Sequence, residues 1–331
     1  MTRSLQLVPR RQHLRPSVDL RALCCKAIEF HQRGQLAEAE RIYRQILNID
    51  PRHADSLHLL GVLAHQVSRD EVAVELIRKA IAADKRPAAY HSNLGTAYQA
   101  LGRLDEAVAC YERALAIHPE LAEAEMNLGV VFEVQGKHEA AEERFRRALA
   151  LRPDLAEVHV NLGNILQAQG RLDEAVASHE RALTLKPEFA EAYFNHANAL
   201  QAQGRLDEAV NSYRRALELK PGLAEARGNL GNALQAQKRL DEAEECYQRA
   251  LALKPDYAEV CYNQGNLRRA QENLDEAAAC YERALELNPQ NADAKRDLAL
   301  VLQHSGRHDE AAVQGTSIRQ LEAKNAIPAR P

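Results

Sequence analysis

The ten residues QAQGRLDEAV occupy positions 167–176 and recur unchanged at 201–210, 34 residues further on. The same interval governs the prolines. Pro51, Pro119, Pro153, Pro187, Pro221, Pro255 and Pro289 follow one another at 34 residues, except for a first gap of 68 in which Lys85 holds the middle position. Self-similarity at a fixed period of this size marks a repeat architecture and not a succession of globular domains. Starting each repeat 31 residues before its proline gives eight units: 20–53, 54–87, 88–121, 122–155, 156–189, 190–223, 224–257 and 258–291. A degenerate ninth begins at Ala292. Positions within a repeat are numbered as slots 1 to 34, so Ala156 is slot 1 of repeat 5.

Each repeat reads as two helices. In repeat 5 the first runs AEVHVNLGNILQAQ, with Val158, Leu162, Ile165 and Leu166 on one face at helical spacing. Gly170 follows, in the left-handed position that commonly ends a helix. The second helix opens at Arg171-Leu172-Asp173-Glu174-Ala175, its acids in the first turn where the helix dipole favours them. Pro187 ends it and sets the next turn. Slot 20 is alanine in all nine repeats: Ala39, Ala73, Ala107, Ala141, Ala175, Ala209, Ala243, Ala277 and Ala311. Slot 8 is small, as in Gly61, Gly95, Gly129, Gly163, Ala197, Gly231 and Gly265. Slot 24 is usually aromatic, as in Tyr43, Tyr111, Phe145, Tyr213, Tyr247 and Tyr281. Small residues let the two helices approach, and the ring fills the space beside them. Three turns lack their glycine, with Ser68, Lys238 and Glu272 in the left-handed position. No repeat can bury its apolar face alone, so the units must stack around a shared core. The fold class is all-α.

Composition agrees and excludes several functions. Aromatics are 5%, tryptophan is absent and the formal net charge is −4. Lysine and arginine are evenly scattered, so no basic face for nucleic acid is expected. The one basic cluster is Arg3, Arg10, Arg11 and Arg15 near the N-terminus, read as a solvated tail. No apolar run approaches the roughly 20 residues that span a bilayer, and the N-terminus lacks a secretory apolar core. A cytoplasmic location is expected. Cys110, Cys246 and Cys280 hold equivalent slots in different repeats, too far apart to bridge, while Cys24 and Cys25 form no CxxC. No metal site and no cofactor are expected.

These signals resemble the tetratricopeptide repeat, over about 20–312. The resemblance implies a right-handed superhelical solenoid of stacked antiparallel helix pairs, eight to nine repeats long, with the first helix of each pair lining the concave side. The segments are then a basic disordered tail at 1–19, eight repeats at 20–291, a degenerate ninth repeat with a capping helix at 292–324, and a tail at 325–331. The capping helix is expected from 309 to about 323.

Slots 6 and 9 carry the functional expectation. Slot 6 holds Asn93, Asn127, Asn161, Asn195, Asn229 and Asn263, and slot 9 holds Asn164, Asn198, Asn232 and Asn266. Slot 12 adds Gln99, Gln167, Gln201 and Gln235. Asparagine is a poor helix former, so a register of them in mid-helix has a cause. One reading is that they bond to neighbouring repeats and hold the stack. The other is a ladder of amides, each offering donors and an acceptor to the backbone of an extended peptide. The two are compatible. The asparagine run, with the NLGN and QGRLDEA phrasing, most resembles the substrate-recruiting repeats of protein O-linked N-acetylglucosamine transferases, in which the slot-6 asparagines bind peptide. That resemblance ends with the repeats and includes no catalytic domain. Slot 2 is acidic in most repeats (Asp55, Glu123, Glu157, Glu191, Glu225, Glu259 and Asp293), which compensates the dipole and would bias a groove towards neutral or basic peptides. The carboxylate clamp of chaperone-binding relatives is absent, because slot 5 lacks its lysine.

No enzymatic role is expected. His138-Glu139 falls short of HExxH because Glu142 holds the last place, and His304 and His308 flank a predicted turn. The Asp-Glu pairs recur with the fold in one slot, whereas a catalytic acid pair would occur once. The expected function is a scaffold or adaptor that binds extended segments of other proteins. The alternatives are a recruiting module that serves a glycosyltransferase partner, and self-association through the terminal repeats.

Overall fold

The computed structural model describes residues 19–313, all of them in helices or the turns between helices. The chain divides into two compact units, Met1–Leu151 and Arg152–Pro331. The first contains α1 (Leu20–Gln32), α2 (Leu36–Ile49), α3 (Ala54–Gln66), α4 (Asp70–Ala83), α5 (Ala88–Ala100), α6 (Leu104–Ile117), α7 (Ala122–Val134) and α8 (His138–Leu151). The second contains α9 (Ala156–Ala168), α10 (Leu172–Leu185), α11 (Ala190–Ala202), α12 (Leu206–Leu219), α13 (Ala224–Ala236), α14 (Leu240–Leu253), α15 (Ala258–Ala270), α16 (Leu274–Leu287) and α17 (Ala292–His304). Within each unit successive helices pack on one another in pairs. The first helix of every pair occupies slots 1–13, one residue less than the sequence suggested. Residues 308–313 are helical. The expected capping helix beyond 313, the terminal tail at 325–331 and the N-terminal tail before Asp19 lie outside the described residues.

The turn inside each pair is closed by two backbone bonds. In repeat 5 the Gly170 amide donates to the Gln167 carbonyl at 2.9 Å, and the Arg171 amide to the Leu166 carbonyl at 2.9 Å. This is the motif that consumes orphan carbonyls at a helix end and needs a left-handed residue; φ at Gly170 is +76°. Ser68, Lys238 and Glu272 take the same conformation, with φ of 57°, 65° and 64°, and make the same two bonds. The repeat's register therefore overrides the local preference of these side chains, at about 1 kcal/mol each. The next helix starts with a local ion pair: Arg171, Arg205 and Arg239 each reach the glutamate three residues on, at 2.6, 2.6 and 2.7 Å.

Packing follows the slot pattern. Slot 20 is fully buried from Ala39 to Ala277, and the slot-24 rings of Tyr43, Tyr111, Phe145, Tyr213, Tyr247 and Tyr281 have no exposed surface. The rings of Tyr111, Phe145, Tyr247 and Tyr281 lie over the slot-8 glycines of their own first helices. A Cβ at Gly129 would stand 2.6 Å from the Phe145 ring, and one at Gly231 2.5 Å from that of Tyr247. In repeat 5 the slot-24 residue is His179, equally buried and pressed against Gly163. One buried charge stands out in the first unit. Glu125 on α7 is 4% exposed and is neutralised by Arg144 of α8 at 3.2 Å and Arg147 at 3.8 Å.

Candidate peptide-binding face

Slots 2, 5, 6, 9 and 12 fall on one face of a helix with 3.6 residues per turn. In the first unit this face presents Asn93 on α5 and Asn127 on α7. In the second it presents Asn161 and Asn164 on α9, Asn195 and Asn198 on α11, Asn229 and Asn232 on α13, and Asn263 and Asn266 on α15. All ten are half-buried, between core and solvent.

Their bonding separates them. In repeats 6 to 8 the buried slot-24 tyrosine donates its hydroxyl to the slot-9 asparagine of the same repeat: Tyr213 to Asn198 at 2.6 Å, Tyr247 to Asn232 at 2.8 Å and Tyr281 to Asn266 at 2.8 Å. The next repeat's slot-6 asparagine donates to the same oxygen, Asn229 to Asn198 at 2.9 Å and Asn263 to Asn232 at 2.8 Å. Slot-12 glutamines close the cluster, with Gln201 2.9 Å from the Tyr213 hydroxyl and Gln235 2.8 Å from that of Tyr247. Each hydroxyl thus lies against two amide oxygens and shares its one proton between them. Burial holds the Tyr213, Tyr247 and Tyr281 phenols well above their ordinary pKa, so they remain donors.

In the first unit Asn93 bonds to His58 at 2.8 Å, and the Asn127 amide acts on the Tyr111 phenol, favouring its ionised form. His58 stacks on Tyr90, whose hydroxyl donates to Asp55 at 2.5 Å. Burial pushes the His58 imidazole down to about 4, so it is neutral and its Nε2 accepts from the asparagine amide.

Seven of the ten asparagines are thus engaged with the fold. Among the described residues of their own unit, Asn161, Asn164 and Asn195 have no side-chain hydrogen-bond partner, nor has Gln167. They cluster around repeat 5, where His179 replaces the tyrosine. Neither ring nitrogen of His179 has a partner, and burial pushes this imidazole down to about 4 as well. Sequence reasoning treated slot 24 as a space-filling position and passed over His179. A signal was available, since Tyr213, Tyr247 and Tyr281 each accompany a slot-9 asparagine, whereas Phe145 accompanies Val130.

The acids of slot 2 are partly compensated: Glu157 pairs with Lys186 at 3.0 Å and Asp293 with Arg296 at 2.8 Å. At the start of α11 lies a cleft of about 310 Å³ lined by Phe189, Ala190, Glu191, Phe194, Lys220 and Leu223. His138 starts α8, and His304 ends α17 before the turn to His308, so the histidine pairs noted in the sequence fall at helix ends. Among the described residues no three His, Cys, Asp or Glu side chains gather as metal ligands, and no helix is long and apolar enough to cross a membrane. The six cysteines are free thiols.

Models of the tetratricopeptide repeat match the sequence at residues 86–154, 154–222 and 188–256 in one form, and at 26–89 and 262–314 in another. No curated protein matches it significantly. Among solved structures, YrrB, reported as a tetratricopeptide protein with an unusual peptide-binding site, is 26% identical over 58% of this chain and 98% of that one, with a TM-score of 0.51. The Cut9–Hcn1 hetero-tetramer of the APC/C is 20% identical over 85% of this chain and 55% of that one, with a TM-score of 0.60. PilF of Pseudomonas aeruginosa is 24% identical over 66% and 97%, with a TM-score of 0.59. These last two show likeness of fold.

Proposed function

Because the chain belongs to the tetratricopeptide-repeat family, we propose that it is a non-enzymatic scaffold that binds extended segments of other proteins through the amide-bearing face of its first helices. The observation that carries this reading is the register of half-buried asparagines on that face. Amides placed in register meet the donors and acceptors of a peptide main chain and ask little of its side chains, so affinity with loose sequence preference is expected. The likeness to YrrB, which is reported to have a peptide-binding site, supports the same direction. The partly compensated acids of slot 2 leave the face neutral to mildly acidic, which favours neutral or basic segments.

The test is selection of linear dodecapeptides from a random displayed library on the full chain. Enrichment of peptides that bind in solution as free synthetic chains supports the reading. Failure to enrich any overturns it. A narrower form is that the repeats recruit substrates for a glycosyltransferase acting in trans; the asparagine run and the NLGN phrasing favour it. Selected peptides rich in serine and threonine would fit that form, and peptides without hydroxyl residues would remove it.

A further inference from the structure

We infer that peptide recognition is concentrated on α9 and α11, at Asn164, Gln167 and Asn195, and that His179 behind them is the residue that leaves this stretch open. The inference rests on the peptide-binding reading and assigns it a place.

In repeats 6 and 7 the acceptor of the slot-9 asparagine is filled twice, by a buried tyrosine hydroxyl and by the next asparagine, and in repeat 8 Asn266 is filled by the Tyr281 hydroxyl. A peptide arriving there competes with bonds already made. In repeat 5 the imidazole of His179 lies flat on Gly163 and makes no hydrogen bond. Asn164 therefore receives no hydroxyl, Gln167 has no phenol to meet, and Asn195 makes no bond to Asn164 of the kind Asn229 makes to Asn198. These three half-buried amides keep their donors and acceptors for a ligand. Their chemistry is that of the peptide group, donor and acceptor side by side and uncharged, so the fitting partner is an extended main chain. The cleft lined by Phe189 and Phe194 at the start of α11, the helix that carries Asn195, takes one apolar side chain of that segment.

The substitution His179→Tyr separates this arrangement from a merely structural one, because it moves two readouts in opposite directions. Tyr247 and Tyr281 already occupy the same slot over Gly231 and Gly265, so the ring has a place. The new hydroxyl would bond Asn164, and Asn195 would follow. The experiment measures the affinity of a library-selected dodecapeptide for the full chain, its H179Y variant, an Asn164→Ala/Asn195→Ala variant and an Asn229→Ala/Asn263→Ala variant, alongside thermal melting. The expected result is a higher melting temperature with about tenfold weaker binding for H179Y, similar weakening for the first alanine pair, and a clearly smaller weakening for the second. The alanine pairs lie at half-buried positions and test the inference even where H179Y fails to fold. Peptide binding that survives the loss of Asn164 and Asn195 overturns the inference and leaves the general reading standing. A library that yields no peptide removes both.

Discussion

Replacing His179 by phenylalanine should remove one of several contributions to the chain's sensitivity to mild acid, since burial also lowers the imidazole pKa of His58, His91, His159 and His196. His179 is fully buried with both ring nitrogens unpaired, and its pKa is about 4 in the folded protein against 6.5 in the unfolded chain. The folded state resists the proton that the unfolded state accepts. The stability it contributes is therefore complete above pH 6.5 and drains away as pH falls towards 4. At pH 5 the unfolded imidazole is almost fully charged and the folded one almost neutral, and the linkage relation gives a loss of about 2 kcal/mol relative to pH 7. His58 in the first unit, also near 4, loses a similar amount and serves as an internal reference, because the substitution leaves it alone. Glu133, whose carboxyl burial raises, works in the opposite direction in both proteins. Phenylalanine already stands in this slot at Phe145, over Gly129, so His179→Phe should fold. Urea unfolding followed by far-UV circular dichroism at pH 7 and pH 5 would measure the free energy of each. The wild-type loss should exceed that of H179F by about 2 kcal/mol. Equal losses would refute the account, since they would mean that His179 finds a proton acceptor in the folded chain.

Other substitutions test the packing and the turns. Ala243→Leu, in a fully buried slot 20 between α13 and α14, should cost roughly 1–3 kcal/mol by overpacking, visible as a lower urea midpoint. Ser68→Gly, Lys238→Gly and Glu272→Gly should each stabilise the chain by about 1 kcal/mol, because all three residues hold φ between 57° and 65°; a loss of stability in the same assay would show that their side chains matter. Arg144→Ala leaves the 4%-exposed Glu125 carboxylate only the more distant Arg147 and should destabilise the first unit by up to about 3 kcal/mol, whereas changing Glu125 and Arg144 together to methionine should cost far less.

The helices were legible because their punctuation is periodic. Gly170 and its counterparts mark the turn inside each pair, the prolines mark the exit, and the slot register placed Ser68, Lys238 and Glu272 in the left-handed conformation despite their side chains. The core was legible for a related reason: the smallness of slots 8 and 20 has one use, the close approach of two helices. The division between Leu151 and Arg152 left no mark, since the 34-residue period runs through it unaltered. At the candidate site the sequence showed which residues share a face but not which are spent. Whether Asn198 or Asn164 has a free oxygen depends on a hydroxyl carried by a residue fifteen positions away on another helix, and apolar volume alone does not distinguish Tyr213, Phe145 and His179.

The hydroxyls of Tyr213, Tyr247 and Tyr281 have a consequence for how such a surface changes over generations. Each belongs to a ring with no exposed area, yet it ends on an amide that faces outward. Changing Tyr213 to phenylalanine would keep nearly the same shape, alter no exposed residue, and still return an acceptor to solvent. Two descendants of this chain with identical exteriors would then offer different faces to a partner. Divergence in recognition can accumulate in the interior, where it would be taken for drift in packing.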